Sequence, residues 1–250
     1  TPTHTLSLHD ALPIWRLNGP TGKGFHRIAW NLRYPSPELP DKQESYIIEE
    51  DHGPLVTPGT YQVTLSKQVQ GTTIRLAGPV SFEVERLRKG ALPGSNPEAA
   101  VSFWRRIAKL QRSVNAAGEV VNELKEKIDQ LDRALRASET APDGLDKELY
   151  EMTQTLYDLD LQLNGQPEKG PVGEPARPTV RGRLRALQIG TQNATYGPTP
   201  NLMKSLRIAE EQFPRLREEL NKLKGERIPA FQKKLTGAGA PWIPGQDIPA

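Results

Sequence analysis

The residues of this 250-residue chain whose types and spacing could do chemistry are few. His52 follows Glu49, Glu50 and Asp51, an oxygen-rich set that suits a hard cation. No His-x-x-x-His or comparable ligand spacing accompanies it, so the run reads as part of a long acidic loop and not as a metal site. Gly19-Pro-Thr-Gly-Lys-Gly24 has the glycines of a phosphate loop but lacks the strand before it, the Gly-Lys-Ser/Thr ending and the helix after it. It reads as a turn. Arg177, Arg181, Arg183 and Arg185 form a basic cluster, and the sequence pI is about 9.0. No aromatic platform is interleaved with them, so the cluster reads as a solvated or acid-facing surface and not as a nucleic-acid site. Glu119, Glu123 and Glu126 lie on one helical stretch, whereas glycoside hydrolysis needs carboxylates facing one another across a cleft. Ser, His and Asp occur without a Gly-x-Ser-x-Gly elbow. Zero cysteines remove thiol catalysis, thiolate metal sites and disulfides. No residue is assigned a catalytic, cofactor-binding or metal-ligating role, no cofactor is implied, and the chain reads as a non-enzyme.

Those residues must be held by elements, and the chain changes character twice. Residues 1–15 match no signal-peptide layout. They resemble the translation of sequencing-adapter read-through and are read as a non-native segment, which also sets aside His4 and His9. Residues 16–92 read as a small β domain. Ile28, Trp30 and Leu32 alternate within Phe25–Tyr34, the period of a half-buried strand. Tyr61, Val63 and Leu65 alternate with Thr60, Gln62 and Thr64 after the Pro58-Gly59 turn. Gln70-Gly71 predicts a hairpin into Thr72–Leu76. Gly78-Pro79 predicts a break before Val80, Phe82 and Val84. Tyr61 is the expected anchor, its hydroxyl bonded to nearby backbone and Trp30 packed against it. Between the strands, residues 35–58 read as a long acidic loop.

From residue 96 the period becomes helical, in a domain expected over residues 96–236. Asn96-Pro97 predicts an N-cap with proline at the first helical position. Phe103, Ile107, Leu110, Val114, Ala117, Val121, Leu124, Ile128, Leu131 and Leu135 then follow at spacings of 4 and 3. That seam has period 3.5 and calls for a partner helix. Leu145, Leu149, Met152, Leu156, Leu159 and Leu163 repeat it after Pro142-Asp143-Gly144. Helices are expected over 97–138, 143–164, 179–192 and 200–235. Val180, Leu184, Leu187 and Ile189 form the third seam. In the fourth, Leu202, Leu206, Ala209, Phe213, Leu216, Leu220, Leu223, Ile228, Phe231 and Leu235 face inward, with kinks expected at Pro214 and Pro229. Residues 237–250 read as a flexible tail anchored by Trp242 and Ile243. The expected fold class is α+β: a small antiparallel immunoglobulin-like β-sandwich followed by an antiparallel α-helical bundle or coiled-coil hairpin.

Charge sorts by helix. Residues 98–160 carry nine Lys/Arg against thirteen Asp/Glu, and residues 165–235 carry fourteen against seven. An acidic pair of helices beside a basic pair predicts that the two pack on each other. No stretch reaches the ~18 uninterrupted apolar residues of a membrane span.

Trp30-Asn-Leu-Arg-Tyr-Pro35 and Gly53-Pro-Leu-Val-Thr-Pro-Gly-Thr-Tyr-Gln-Val-Thr-Leu65, followed by a helical region, resemble the C-terminal end of bacterial proteins with sortilin-type, BNR-like repeat propellers, often labelled glycosyl-hydrolase-like. In that family an immunoglobulin-like module and helices follow the propeller. This chain has no propeller, so nothing the propeller does transfers to any residue here. The resemblance implies a periplasmic or extracellular parent, with this region a non-catalytic accessory or protein-docking part of it. The alternatives are the tail of a propeller-type hydrolase acting on glycans or peptides, and a coiled-coil module whose 103–135 seam pairs between chains. The partners expected are proteins, with no nucleic acid.

Overall fold

The computed structural model describes residues 3–8, 15–34, 55–87, 97–138, 140, 143–166, 169, 173–175, 177–191 and 196–246, with side chains from residue 16 onwards. The strands are β1 (Thr3–Leu8), β2 (Trp15–Gly19), β3 (Gly59–Val69) and β4 (Thr72–Val84). The helices are α1 (Pro97–Arg136), α2 (Leu145–Asn164), α3 (Val180–Thr191), α4 (Pro200–Lys222) and α5 (Ile228–Gly237). Among the described residues the chain divides into two compact units. The first holds the strands, α1 through Ala108 and Gly190–Pro198; the second begins at Lys109 and takes α2, α3 through Ile189, and Thr199 onwards. The domain boundary expected at residues 92–96 lies outside the described residues, as does the Asn96 cap.

The immunoglobulin-like sandwich is not formed. The described strands make a single antiparallel sheet in the order β2-β1-β3-β4, dominated by the β3–β4 hairpin. A sandwich needs two inner faces burying each other, yet no sheet residue whose side chain is described is fully buried. The stretch expected as a first strand, Phe25–Tyr34, makes only an isolated bridge between Arg33 and Leu55. Leu32 takes a positive φ of 58°, which breaks the alternation, and Phe25 is 91% exposed. The segment set aside as non-native pairs along both β2 and β3. β4 runs on through Gly78-Pro79, where a break was expected, because a register irregularity opposite it near Val63–Ser66 absorbs the proline. The Gln70-Gly71 turn forms as expected, with φ of 48° and 80° at its two positions.

Tyr61 is the anchor that its position predicts. Its hydroxyl donates to the Thr57 carbonyl at 2.8 Å, Trp30 meets its ring edge-on at 5.7 Å, and Phe82, directly opposite on β4, stacks at 6.0 Å. Trp30 thus covers the hairpin as a side chain and not as part of a strand, with its indole N–H donating to the Arg33 carbonyl. Burial raises the Tyr61 phenol above its ordinary 10.0, outweighing the opposing effect of the Thr57 bond. The folded chain therefore holds a proton that the unfolded chain releases first. Stability from this group is intact below about pH 10 and falls as pH rises toward the folded value. Urea unfolding at pH 8 and at pH 11 should show a larger alkaline loss for the wild type than for Tyr61→Phe; equal losses would uncouple the phenol from the fold.

The helical seams are buried as their spacing predicts. All ten seam residues of α1 and all six of α2 lie in the core. In the third and fourth seams Ile189 is exposed and Leu202 half-buried, whereas Val180, Leu184, Leu187 and the rest of the fourth seam are in the core. At ~1.5 Å per residue the 40 residues of α1 span about 60 Å. Gly165, at φ 81°, closes α2 by donating its N–H to the Leu161 carbonyl. Thr199 caps α4, its hydroxyl oxygen accepting from the Leu202 N–H at 3.4 Å, with Pro200 next. That bond is long, so Thr199→Ala should cost about 0.5–1 kcal/mol, the low end for caps, read as a thermal shift in helical circular dichroism.

The two prolines behave differently. Pro214 stays inside α4 without ending it. Ahead of Pro229 the helix widens into a π turn over Leu223–Arg227, in which the Ile228 N–H reaches back five residues to the Leu223 carbonyl. The wider turn makes room for a ring that would otherwise press on the preceding turn.

The antiparallel bundle or two-helix hairpin expected of the helices is not shown; the contacts give only their relative directions. Lys234 pairs with Glu148, and Arg227 donates to Thr155, so α2 runs against α4–α5. Lys224 pairs with Glu123, and Ser138 donates to the Ala238 carbonyl, so α1 and α4–α5 run the same way. The acidic helices do meet the basic ones, through Lys224–Glu123 and Lys234–Glu148, both at 2.6 Å. These pairs are solvent-exposed and worth under about 1 kcal/mol each, so they set pairing more than stability. The α1 seam, expected in one reading to pair between chains, is buried within the single chain. The tail expected to be flexible is tied down through Gln246. Lys127 donates to the Pro244 carbonyl, Gln246 bonds both the Ile243 N–H and Thr236, and Ile243 is buried while Trp242 is half exposed.

Candidate functional site

The residues that drew attention as chemistry do not assemble. His26 Nε2 lies 2.7 Å from the Gly22 carbonyl, so the ring N–H closes the glycine-rich loop as a turn. His52 and Glu49–Asp51 lie outside the described residues. Glu123 is engaged by Lys224. Among the described residues no three His, Asp or Glu side chains gather in a way that could hold a metal ion.

The arginine cluster spreads apart. Arg181 lies over α1, where its guanidinium occupies the space a side chain on Gly118 would need. A glycine in the middle of a 40-residue helix costs roughly 1 kcal/mol relative to alanine; the guanidinium above it is the end of a flexible side chain and does not by itself require one. The buried Nε atoms of Arg181 and Arg183 have no hydrogen-bond partner among the described residues. Arg185 is exposed on α3, and Arg177 stands before that helix.

Two surfaces of the helical unit remain. The first is the outer side of α2. Its core positions repeat from Leu145 to Leu163, and a residue five positions after the first of them points away from that seam. Tyr150 and Tyr157 take such positions seven residues apart, so they share a face, and they are 63% and 54% exposed. Glu151 and Asp158 adjoin them in sequence.

The second is a cleft of about 820 Å³ between the end of α2, the segment before α3, and α4. Leu161, Val180 and Leu216 form its apolar lining, and Gln162 and Gln212 are among its polar residues. Thr179 caps α3 by accepting the Gly182 N–H at 3.0 Å, which fixes one wall. Three cations line it. Lys169 approaches Glu174 at 3.9 Å, while Arg177 and Arg215 form no hydrogen bond or ion pair with described residues. Glu211, the one acid among the described lining residues, is within 3.7 Å of Arg207.

Neither surface was found from sequence. The tyrosines had a signal, since two aromatics seven residues apart fall off an otherwise complete leucine seam. The cleft had none, because its walls come from segments distant along the chain.

No family model, curated protein or solved structure matches this chain. The immunoglobulin-like description is overturned by the single sheet, and no matched family supports the sortilin or BNR terms. No described helix is long and apolar enough to cross a membrane.

Proposed function

We propose that this chain is a non-catalytic accessory region of a larger protein and that its helical unit docks a protein surface. The observation that carries the reading is the Tyr150–Tyr157 face of α2. Tyrosine gives large, rigid contact area with a polar tip and is enriched at binding hot spots. Here two of them stand in solvent on a helix whose opposite side is fully committed to the core. The larger protein would be a propeller-bearing, exported one, periplasmic or extracellular, of the kind that the Gly53–Tyr61 run resembles. The non-catalytic part of the reading rests on the sequence, which pairs no nucleophile with a base and sets no carboxylates across a cleft.

Two measurements test it. Long-read sequencing of the source DNA upstream of the Trp15 codon should find the reading frame continuing into propeller repeats; a frame that ends there, or enters unrelated sequence, overturns the parent. Mild iodination should then label Tyr150 and Tyr157 in this chain and spare them in the larger protein. Equal labelling in both would remove the docking face.

A further inference from the structure

We infer that the cleft between α2, residues 177–179 and α4 takes an acidic peptide segment of the docked protein, an inference that rests on the docking reading but not on the identity of the parent. Arg177 and Arg215 present two guanidiniums at one cleft, neither within ion-pair distance of an acid among the described residues, and with Lys169 they outnumber Glu211 in its lining. A guanidinium offers a planar fork of donors that matches a carboxylate bidentately, which a lysine cannot do. The apolar lining of Leu161, Val180 and Leu216 suits the aliphatic residues flanking such an acid, since Val180 and Leu216 belong to the core and Leu161 is half-buried beside them. Gln162 and Gln212 supply side-chain amides, which can both donate to and accept from a peptide backbone.

The charge pattern selects the partner. Three opposite-charge pairs, Lys125–Asp160, Lys224–Glu123 and Lys234–Glu148, join helices of this unit. At the cleft the balance is left cationic. The cleft is also open along one side, with Gln162, Gln212, Arg177 and Arg215 all exposed. A small free anion would stay largely hydrated there, whereas an extended segment can lay its acid between the arginines and its apolar neighbours on the floor.

The full chain, labelled with nitrogen-15, is titrated with the blocked peptide acetyl-Leu-Asp-Leu-Glu-amide, its isostere acetyl-Leu-Asn-Leu-Gln-amide, and inorganic phosphate. The acidic peptide should shift the side-chain amides of Gln162 and Gln212 and weaken as salt is raised. Arg215→Gln and Arg177→Gln should each weaken binding at least about tenfold, as the loss of a charged hydrogen bond implies. Arg217→Gln, an exposed position on the same helix outside the cleft, should bind as the wild type does. The inference is overturned if the isostere binds equally well, if phosphate alone reproduces the shifts, if Arg217→Gln weakens binding as much as Arg215→Gln, or if millimolar peptide moves neither glutamine. Because iodination reads Tyr150 and Tyr157 separately, a silent cleft with protected tyrosines would sink this inference and leave the docking reading standing.

Discussion

Phe231→Ala should be among the most destabilising single substitutions in the helical unit, costing about 3–5 kcal/mol. Phe231 is 0% exposed and sits in α5, one turn past the π turn that precedes Pro229. Truncation removes the ring's burial and leaves a cavity that the surrounding helices cannot close, because α5 is tethered to α2 through Lys234–Glu148 and its C-terminal end to the α1 end through Ser138 and Ala238. Urea unfolding followed by helical circular dichroism should show a lower midpoint at an unchanged slope. Lys224→Gln, which breaks an exposed ion pair, is the control and should change stability by less than about 1 kcal/mol. A Phe231→Ala midpoint indistinguishable from that control would mean that the segment beyond the π turn does not share the core.

In the sheet the largest effect is expected at Gly78. Its φ of +88° disfavours any side chain, and a Cβ there would stand 2.5 Å from the Val63 carbonyl oxygen on the neighbouring strand. The backbone conformation alone costs about 1–3 kcal/mol for a non-glycine residue. The contact adds to it because the obstacle is backbone, at the point where the β3–β4 register shifts, and cannot rotate away. Gly71 separates the two effects. It has a similar φ of +80° but open space around its Cβ position. Gly78→Ala should therefore lower the unfolding midpoint of the sheet, read by near-ultraviolet circular dichroism, clearly more than Gly71→Ala does. Equal losses would show that conformation, not the Val63 contact, governs both.

How far each region was legible follows from how local its signal is. The spacing from Phe103 to Leu135 and from Leu145 to Leu163 names the buried face residue by residue, because a helix satisfies its backbone internally and leaves only its apolar stripe to be placed. The Tyr61 hydroxyl bond was readable for a related reason: its partner, Thr57, is four residues away. The candidate site was not readable. Nothing in the pattern of residues 161–180 announces that Arg177 and Arg215 come to one cleft, since that depends on how α4 packs against α2.

The sequence by itself determined the helices, their inner faces, the Gln70-Gly71 turn and the sorting of acidic from basic helices. Those features depend on periodicity, capping and turn chemistry within a few residues of chain. Only the tertiary structure decided that the strands make one sheet and not two, since strand pairing is a long-range choice that alternation cannot specify. It also decided that α4–α5 runs alongside α1 in the same direction, that Arg181 lies over Gly118, and that Ala238–Gln246 is strapped to the helices. Each of these depends on which apolar faces and opposite charges meet across a hundred residues or so, and burial rewards any arrangement that removes the same surface from water. The choice among such arrangements lies in packing and loop geometry, to which hydrophobic spacing is blind.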